Sequence, residues 1–195
     1  QAGYTDFKFL SDGSKKIFAR EALIGVSITG WMNNPDVLFD KKVLEKGAKI
    51  VKEVNREVAA LLGINPAART TCVKPSGNAS VLLQTASGIH AEHSNMYIRN
   101  VQMTKDSEVT QAIQKANPYM VEDSVWSATN SDVVVSFPII PKKGSYVKED
   151  LIGVDHLEKV KLVQQHWVNA GTNEELCADK GVRHNVSNTI LVDDW

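Results

Sequence analysis

Short β-favouring runs alternate with amphipathic helical segments along this chain, and this alternation constrains the fold more than any other feature. In the clearest helical segment, Asp40 to Leu62, apolar residues recur every three or four positions. Asp40 is a residue type that caps helix starts, and Gly63 stands where a left-handed residue commonly ends a helix. The run DVVVSF, residues 132–137, is typical of a buried strand. The alternation predicts an α/β protein with mainly parallel strands.

Weaker patterns complete the predicted secondary structure. The spacing of Asp155 and Glu158 predicts a capping box at the start of the last helix. Gly25 and Gly30 flank an apolar run and would let a neighbouring backbone or a ligand approach closely. The remaining helices are expected at residues 14–21, 107–116 and 154–169. The remaining strands are expected at residues 23–28, 70–73, 96–103, 121–126 and 186–192.

Composition excludes several classes of function. The 195 residues are 43% hydrophobic and 23% charged, as in globular proteins. A net charge of −1 gives no signature of a nucleic-acid polymer as partner. No apolar run is long enough to cross a bilayer and no secretory signal is visible, so we expect no membrane partner and a cytoplasmic location. Two cysteines, Cys72 and Cys177, do not make a disulfide framework.

The stretch from Arg69 to Ser94 contains the main candidate for a binding site. A predicted strand ends at the segment Lys74–Asn78, and residues 79–84 suit a short helix. Backbone N–H groups at such a helix start are unpaired and favour an anion, with phosphate the obvious guest. Gly77 would permit a backbone geometry closed to other residues. The alternative, that Ser and Gly serve here only as caps, stays open. Further donors or charge come from the side chains of Lys74, Ser76, Asn78 and Ser80.

The residue identities in this stretch indicate a protein family more specifically than its pattern of strand, turn and helix does. KPSGNAS followed by SGIHAEHSNMYIRNVQ resembles the C-terminal part of the catalytic domain of adenosylcobalamin-dependent (class II) ribonucleotide reductases. The usual family form is a KPSGT-like loop, a GIH segment and a YIRR-like strand, so Asn78 replaces the commoner Thr. The resemblance continues through VVVSFPI, LVQQHWVNAGTN and RHNVSNTI, and it covers the chain from about Ala19 to its end.

The resemblance implies both a fold and an activity. Residues 1–195 are expected to form a single segment, incomplete at both ends, of a larger catalytic domain with a ten-stranded α/β barrel, mainly parallel strands and covering helices. The enzyme would convert ribonucleotides to deoxyribonucleotides for DNA replication by a thiyl-radical mechanism, with adenosylcobalamin as cofactor. The implied partners are a ribonucleoside di- or triphosphate substrate, the remainder of the polypeptide and a thiol reductant such as thioredoxin.

The resemblance assigns substrate binding but no catalytic residue. The Asn-x-Cys-x-Glu-like motif that holds the family's radical cysteine does not occur in this sequence. We therefore assign no radical or redox role to Cys72, expected to be buried in a strand, or to Cys177, expected in an accessible polar loop. The residues that match the family's phosphate loop, and are predicted to bind the substrate, are Ser76, Gly77, Asn78, Ala79 and Ser80.

Histidines provide a weaker candidate. His90 and His93 are three residues apart, but a third metal ligand is missing, so we predict loop histidines that form hydrogen bonds and no metal site. His156, His166 and His184 are scattered and are expected at a surface or an interface.

Two other functions remain open. A class I-type reductase large subunit shares the barrel and a related Pro-Ser loop, although KPSG followed by GIH favours class II. A catalytically silent nucleotide-binding α/β domain would keep the loop without the radical machinery. An Asn-x-Cys-x-Glu motif in the flanking sequence would support a reductase, whereas its absence would favour the silent domain.

Overall fold

The longest helix forms where the apolar period predicts it. In the computed structural model, which describes residues 2–190, this helix spans Lys41–Leu62. The carboxylate of Asp40 accepts the N–H groups of Lys42 at 2.8 Å and Val43 at 3.0 Å. Gly63 follows the last turn with φ at +67°. The predicted cap and the predicted end of this helix are therefore confirmed.

The chain contains short strands and helices in alternation. The helices are α1 (Asp12–Glu21), α2 (Pro35–Leu38), α3 (Lys41–Leu62), α4 (Asn78–Leu82), α5 (Glu108–Ala116) and α6 (Val154–Val163). The strands are β1 (Val26–Ser27), β2 (Thr71–Cys72), β3 (Tyr97–Thr104), β4 (Val121–Asp123) and β5 (Asp132–Ile139). These elements confirm the predicted α/β class. Single 3₁₀ turns lie at Trp31–Asn33, Pro118–Met120, Lys148–Asp150 and Glu174–Leu176.

The chain divides into two compact units. The first contains the residues up to Glu92 and those from Lys142 onward, and the second contains His93–Pro141. In the first unit β1 pairs with β2 in parallel, with Val26 opposite Thr71. Single bridges extend β2 on both sides, from Arg69 to Thr172 and from Val73 to Val186. The buried core of this unit includes Trp31, Met32, Leu44, Ala48, Val73, Ile89, Val163, Trp167 and Val168.

The second unit contains an antiparallel sheet in the order β3-β5-β4. β3 pairs with β5 over its whole length, from Tyr97 opposite Ile139 to Thr104 opposite Asp132. Half-buried and exposed residues alternate along β3, as expected for an antiparallel strand with one wet face. Parallel pairing of named strands among residues 2–190 is thus limited to β1 and β2.

The carboxyl-terminal helical region differs from its prediction. α6 begins after Gly153, without a side-chain cap, so the predicted capping box of Asp155 and Glu158 is wrong. Residues Gln164–Asn169 continue α6 as a π-helix. The strand expected at residues 186–192 is reduced to the bridge at Val186, and its last two residues lie outside the described part. No helix within residues 2–190 is both long and apolar enough to cross a membrane.

The π-helix holds β2 in place through two hydrogen bonds of Trp167. The hydroxyl of Thr71 donates to the Trp167 carbonyl at 2.7 Å, and the Trp167 indole N–H donates to the Cys72 carbonyl at 3.0 Å. Both bonds are buried, so they hold the strand in one position against the core. The segment that follows β2 therefore starts from a rigid point.

Candidate functional site

The loop of residues 74–80 leaves β2 and turns at once into α4. The Lys74 N–H donates to the Ser27 hydroxyl at 3.0 Å, which ties the start of the loop to the end of β1. The Ser76 N–H donates to the Ser87 hydroxyl at 2.7 Å. The Ser80 N–H donates to the Ser76 hydroxyl at 3.1 Å. Three backbone donors of the loop are therefore used inside the protein.

The five predicted substrate-binding residues lie together in one turn. Asn78 is the first residue of α4, and Gly77 and Ala79 on either side of it are exposed. Among residues 2–190 the N–H groups of Gly77 and Ala79 have no acceptor. Ser80 is buried, and its hydroxyl donates to the carbonyls of Ser76 and Gly77. The turn thus exposes two backbone donors, while its serines hold its shape.

Gly77 has an ordinary backbone conformation. Its φ is −71° and its ψ is −79°, and a Cβ added to it would meet nothing within 4 Å. The expectation that Gly77 permits, and the chain uses here, a backbone geometry closed to other residues is therefore wrong. What the glycine provides is a bare surface over the turn.

Residues 85–88, which we call the brace, support the loop from the side. Gly88 has φ at +54°, and a Cβ there would lie 2.8 Å from the Lys74 carbonyl oxygen. The Thr29 hydroxyl donates to the Ala86 carbonyl at 2.9 Å and accepts the Gly88 N–H at 2.8 Å. The brace therefore packs on the loop through a position where only glycine fits without strain.

Sequence reasoning missed the brace almost entirely. Its one signal was Gly30, where we predicted the close approach of a backbone or a ligand, and the structure instead places the Thr85 side chain against it. Gly30 has φ at +77°, and a Cβ there would lie 2.0 Å from the Thr85 hydroxyl. Asn33, 52 positions before Thr85, accepts the hydrogen bond of that hydroxyl at 2.6 Å. Nothing in the sequence around Asn33 or around Thr85 indicates that the two residues form a hydrogen bond.

The predicted histidines lie in different surroundings. Within residues 2–190 there is no group of three His, Cys, Asp or Glu side chains that would hold a metal ion. The His90 Nδ1 lies 2.8 Å from the Ser87 carbonyl oxygen, which confirms the predicted hydrogen bond of a loop histidine. His93 packs edge-on against Tyr97. The expectation that His156 lies at the surface is wrong, because it is 5% exposed.

Both cysteines are buried. Cys72 lies in β2 at 7% exposure, as predicted, and burial raises the pKa of its thiol, with a smaller opposing effect of Lys74. The expectation that Cys177 is accessible is wrong, because it is 8% exposed and lies 3.4 Å from the Asn173 carbonyl oxygen. A buried thiol with a raised pKa is a poor nucleophile, so Cys72 is unsuited to thiolate chemistry.

No family model matches the chain, but individual proteins do. It is 27% identical over 159 residues to an adenosylcobalamin-dependent ribonucleoside-triphosphate reductase of Euglena gracilis. It is 29% identical over 161 residues to a probable adenosylcobalamin-dependent ribonucleoside-triphosphate reductase of Dictyostelium discoideum. Each match covers 80% of this chain, and the chain spans 22% and 21% of these relatives.

A solved structure agrees with these matches. The crystal structure of a B12-dependent (class II) ribonucleotide reductase superposes with a TM-score of 0.65 at 18% identity. The superposition covers 80% of this chain and 26% of that one, and it supports the α/β fold. The resemblance found in the sequence is therefore confirmed: over most of its length this chain is similar to a segment of the adenosylcobalamin-dependent ribonucleotide reductases.

Proposed function

We propose that the chain is a segment of an adenosylcobalamin-dependent ribonucleotide reductase, in which the loop of residues 74–80 binds the phosphates of the substrate. The observation that carries this proposal is the likeness to the two named reductases over 80% of the chain. Their shared name also favours this class over a class I-type subunit or a silent nucleotide-binding domain.

The loop suits a phosphate for three reasons. The N–H groups of Gly77 and Ala79 are exposed at the start of α4, where backbone donors favour anions. The side chain of Lys74 is exposed at the start of the same loop and adds a positive charge. The sequence from Lys74 to Ser80 contains no acidic residue that would repel a phosphate. Ser76 and Ser80 complete the proposed site by fixing the turn.

Holding the phosphates serves the reaction by position. In the family a thiyl radical abstracts the 3′-hydrogen of the ribose, so C3′ must lie beside a cysteine while the anionic tail is held elsewhere. Donors that are already fixed lose little entropy when they bind the tail. Because Cys72 and Cys177 are buried and lack the family's flanking residues, we place the radical cysteine outside this segment.

The cofactor has no assigned residue in this segment. When bound, adenosylcobalamin supplies the radical that the enzyme passes to its cysteine. One cavity of about 520 Å³ is lined by the amino-terminal segment, α1 and the end of α3, including Phe7, Phe18 and Asn55. No residue of the loop lines it. Because the loop does not line this cavity, we assign none of the cavity residues to cobalamin.

The finer fold and the partners are part of the same proposal. We infer that β1 and β2 are neighbouring parallel strands of the ten-stranded barrel and that α3, which connects them, covers its outside. The parallel register of β1 with β2 around a helical crossover supports this. The relatives' name favours a ribonucleoside triphosphate over a diphosphate as substrate. A thiol reductant such as thioredoxin and a cytoplasmic location stay predictions.

Two substitutions in the intact protein test the loop. Gly77→Val places a branched side chain on the bare surface, where a Cβ meets nothing within 4 Å, so it should weaken triphosphate binding more than Ser76→Ala. Ser76→Ala removes one hydroxyl and should cost about 1–2 kcal/mol of binding, close to tenfold. Calorimetric titration with a ribonucleoside triphosphate measures both.

The matched control is Gly13→Val, at an exposed position where a Cβ also meets nothing within 4 Å. This variant should bind the triphosphate as the unmodified protein does. Unchanged affinity in Gly77→Val would mean that the phosphates bind elsewhere.

A further inference from the structure

Asn33 is a buried amide whose four hydrogen bonds all go to other parts of the chain. It is 6% exposed and ends the 3₁₀ turn Trp31–Asn33. Its carbonyl oxygen accepts the Thr85 hydroxyl at 2.6 Å and the Ala86 N–H at 2.8 Å. Its amide nitrogen donates to the Glu92 carboxylate at 2.7 Å and to the Ser145 hydroxyl at 3.1 Å. A primary amide supplies two donors and two acceptor sites, and Asn33 uses all four.

These bonds hold the first half of the brace. Thr85 and Ala86 are fixed by Asn33, and the next residue, Ser87, accepts the Ser76 N–H at 2.7 Å. Gly88 then packs on the Lys74 carbonyl. An unbroken path of covalent and hydrogen bonds therefore runs from Asn33 to the loop.

We propose that Asn33 is a positioning residue for the phosphate loop, acting through the brace and in pair with Glu92. This inference rests on the proposed function of the loop. Asn33 touches no part of the loop itself in any of its hydrogen bonds, and its effect is to set where the Ser76 N–H and the Lys74 backbone lie. A shift of the brace would move both, and with them the exposed donors at the start of α4.

The pairing with Glu92 supplies a sharp test, because the amide and the carboxylate can be exchanged. In Asn33→Asp the new carboxylate still accepts from Thr85 and Ala86 but meets the Glu92 carboxylate, which is 2% exposed, without a donor between them. Two like charges at hydrogen-bond distance in a buried site repel strongly. In the double variant N33D/E92Q the new amide at position 92 donates to the new carboxylate at position 33. The hydrogen bond is thus restored with its donor and acceptor exchanged.

The experiment titrates a ribonucleoside triphosphate and the matching monophosphate into the intact protein. Asn33→Asp should lower the triphosphate affinity about tenfold and reduce the preference for triphosphate over monophosphate. N33D/E92Q should recover most of both. Asn65→Asp is the matched control, because the exposed Asn65 amide donates to the Ala19 carbonyl, and it should change neither. Melting temperature and circular dichroism are measured for each variant.

If Asn33→Asp does not fold, Ser87→Ala provides a second test of the path from Asn33 to the loop. It removes only the acceptor of the Ser76 N–H and should also lower the triphosphate affinity several-fold. Unchanged affinity in folded Asn33→Asp or in Ser87→Ala overturns the inference, and so does an equal loss for triphosphate and monophosphate. If Ser76→Ala and Gly77→Val also bind normally, the proposed function itself fails. If only Ser76→Ala and Gly77→Val lose binding, the loop binds the phosphates but Asn33 does not position it.

Discussion

The loop of residues 74–80 and the brace of residues 85–88 each contain one glycine, at positions with opposite surroundings. At Gly88, φ is +54° and a Cβ would lie 2.8 Å from the Lys74 carbonyl oxygen. At Gly77, φ is −71° and a Cβ would meet nothing. The brace therefore needs glycine for the fold, whereas the loop has no internal need for it. This difference separates a part that is held by packing from a part whose surface is left bare.

The largest effect is expected where the brace meets the loop. Gly88→Ala combines a left-handed backbone with a methyl group pressed against a backbone oxygen, and should cost about 3 kcal/mol of stability. Thermal unfolding of the intact protein and hydrogen exchange of residues 74–90 measure this loss. Gly77→Ala is the control and should leave both nearly unchanged. Equal losses in the two variants would break the distinction between loop and brace.

The two parts also differ in how far the sequence predicts them. The helix Lys41–Leu62 follows from its own apolar period and from Asp40 and Gly63, which act within one turn. The loop follows from residue types that lie next to one another. The brace depends on Asn33 and Thr29, whose partners are more than 50 positions away, and no local pattern contains that information.

Strand pairing shows the same limit. Alternating strands and helices predict parallel pairing, which β1 and β2 follow. β3 and β5 are antiparallel although α5 lies between them in the chain. The alternating polarity of YIRNVQMT in β3 is the signal for an antiparallel strand with one wet face, and it outweighs the order of elements. The burial of Cys177, which follows a 3₁₀ turn, and of His156, which lies in α6, was missed because it depends on residues distant in the chain.

A smaller effect is expected at Ser80, a loop residue that is 2% exposed. Its hydroxyl donates to the carbonyls of Ser76 and Gly77 at the start of α4. Ser80→Ala should cost about 1–2 kcal/mol of stability, because the hydrogen bonds of the buried Ser80 hydroxyl to these carbonyls are lost. Ser136→Ala is the control, since its hydroxyl bonds only the Asn100 side chain, and it should cost less than half as much. Chemical unfolding of the intact protein compares the two variants. An equal cost would show that the Ser80 hydroxyl does not stabilise the turn.

The smallest effect concerns pH and involves His156, which interacts electrostatically with His90, whose Nδ1 lies 2.8 Å from the Ser87 carbonyl oxygen. His156 is 5% exposed, its Nε2 has no partner among residues 2–190, and burial lowers its pKa, with a further contribution from His90. In the unfolded chain histidine titrates near pKa 6.5, about half a unit below neutral pH. As pH falls through that value the unfolded state takes up the proton first, so the free energy of unfolding decreases. Stability should therefore be constant above about pH 7.5 and decline toward pH 5.5.

The variant His156→Gln should flatten this decline, whereas the exposed His93→Gln should not. Hydrogen exchange of residues 85–90 in the intact protein, corrected for the intrinsic pH dependence of exchange, gives the local measurement. The brace should lose protection at low pH before the core strand β2 does, because β2 is fixed by Trp167 through bonds that do not titrate. If β2 and the brace lose protection together, the brace does not open separately from the core. The loop, the brace and β2 would then belong to one cooperative unit, and the distinction between a rigid support and an open loop would not hold.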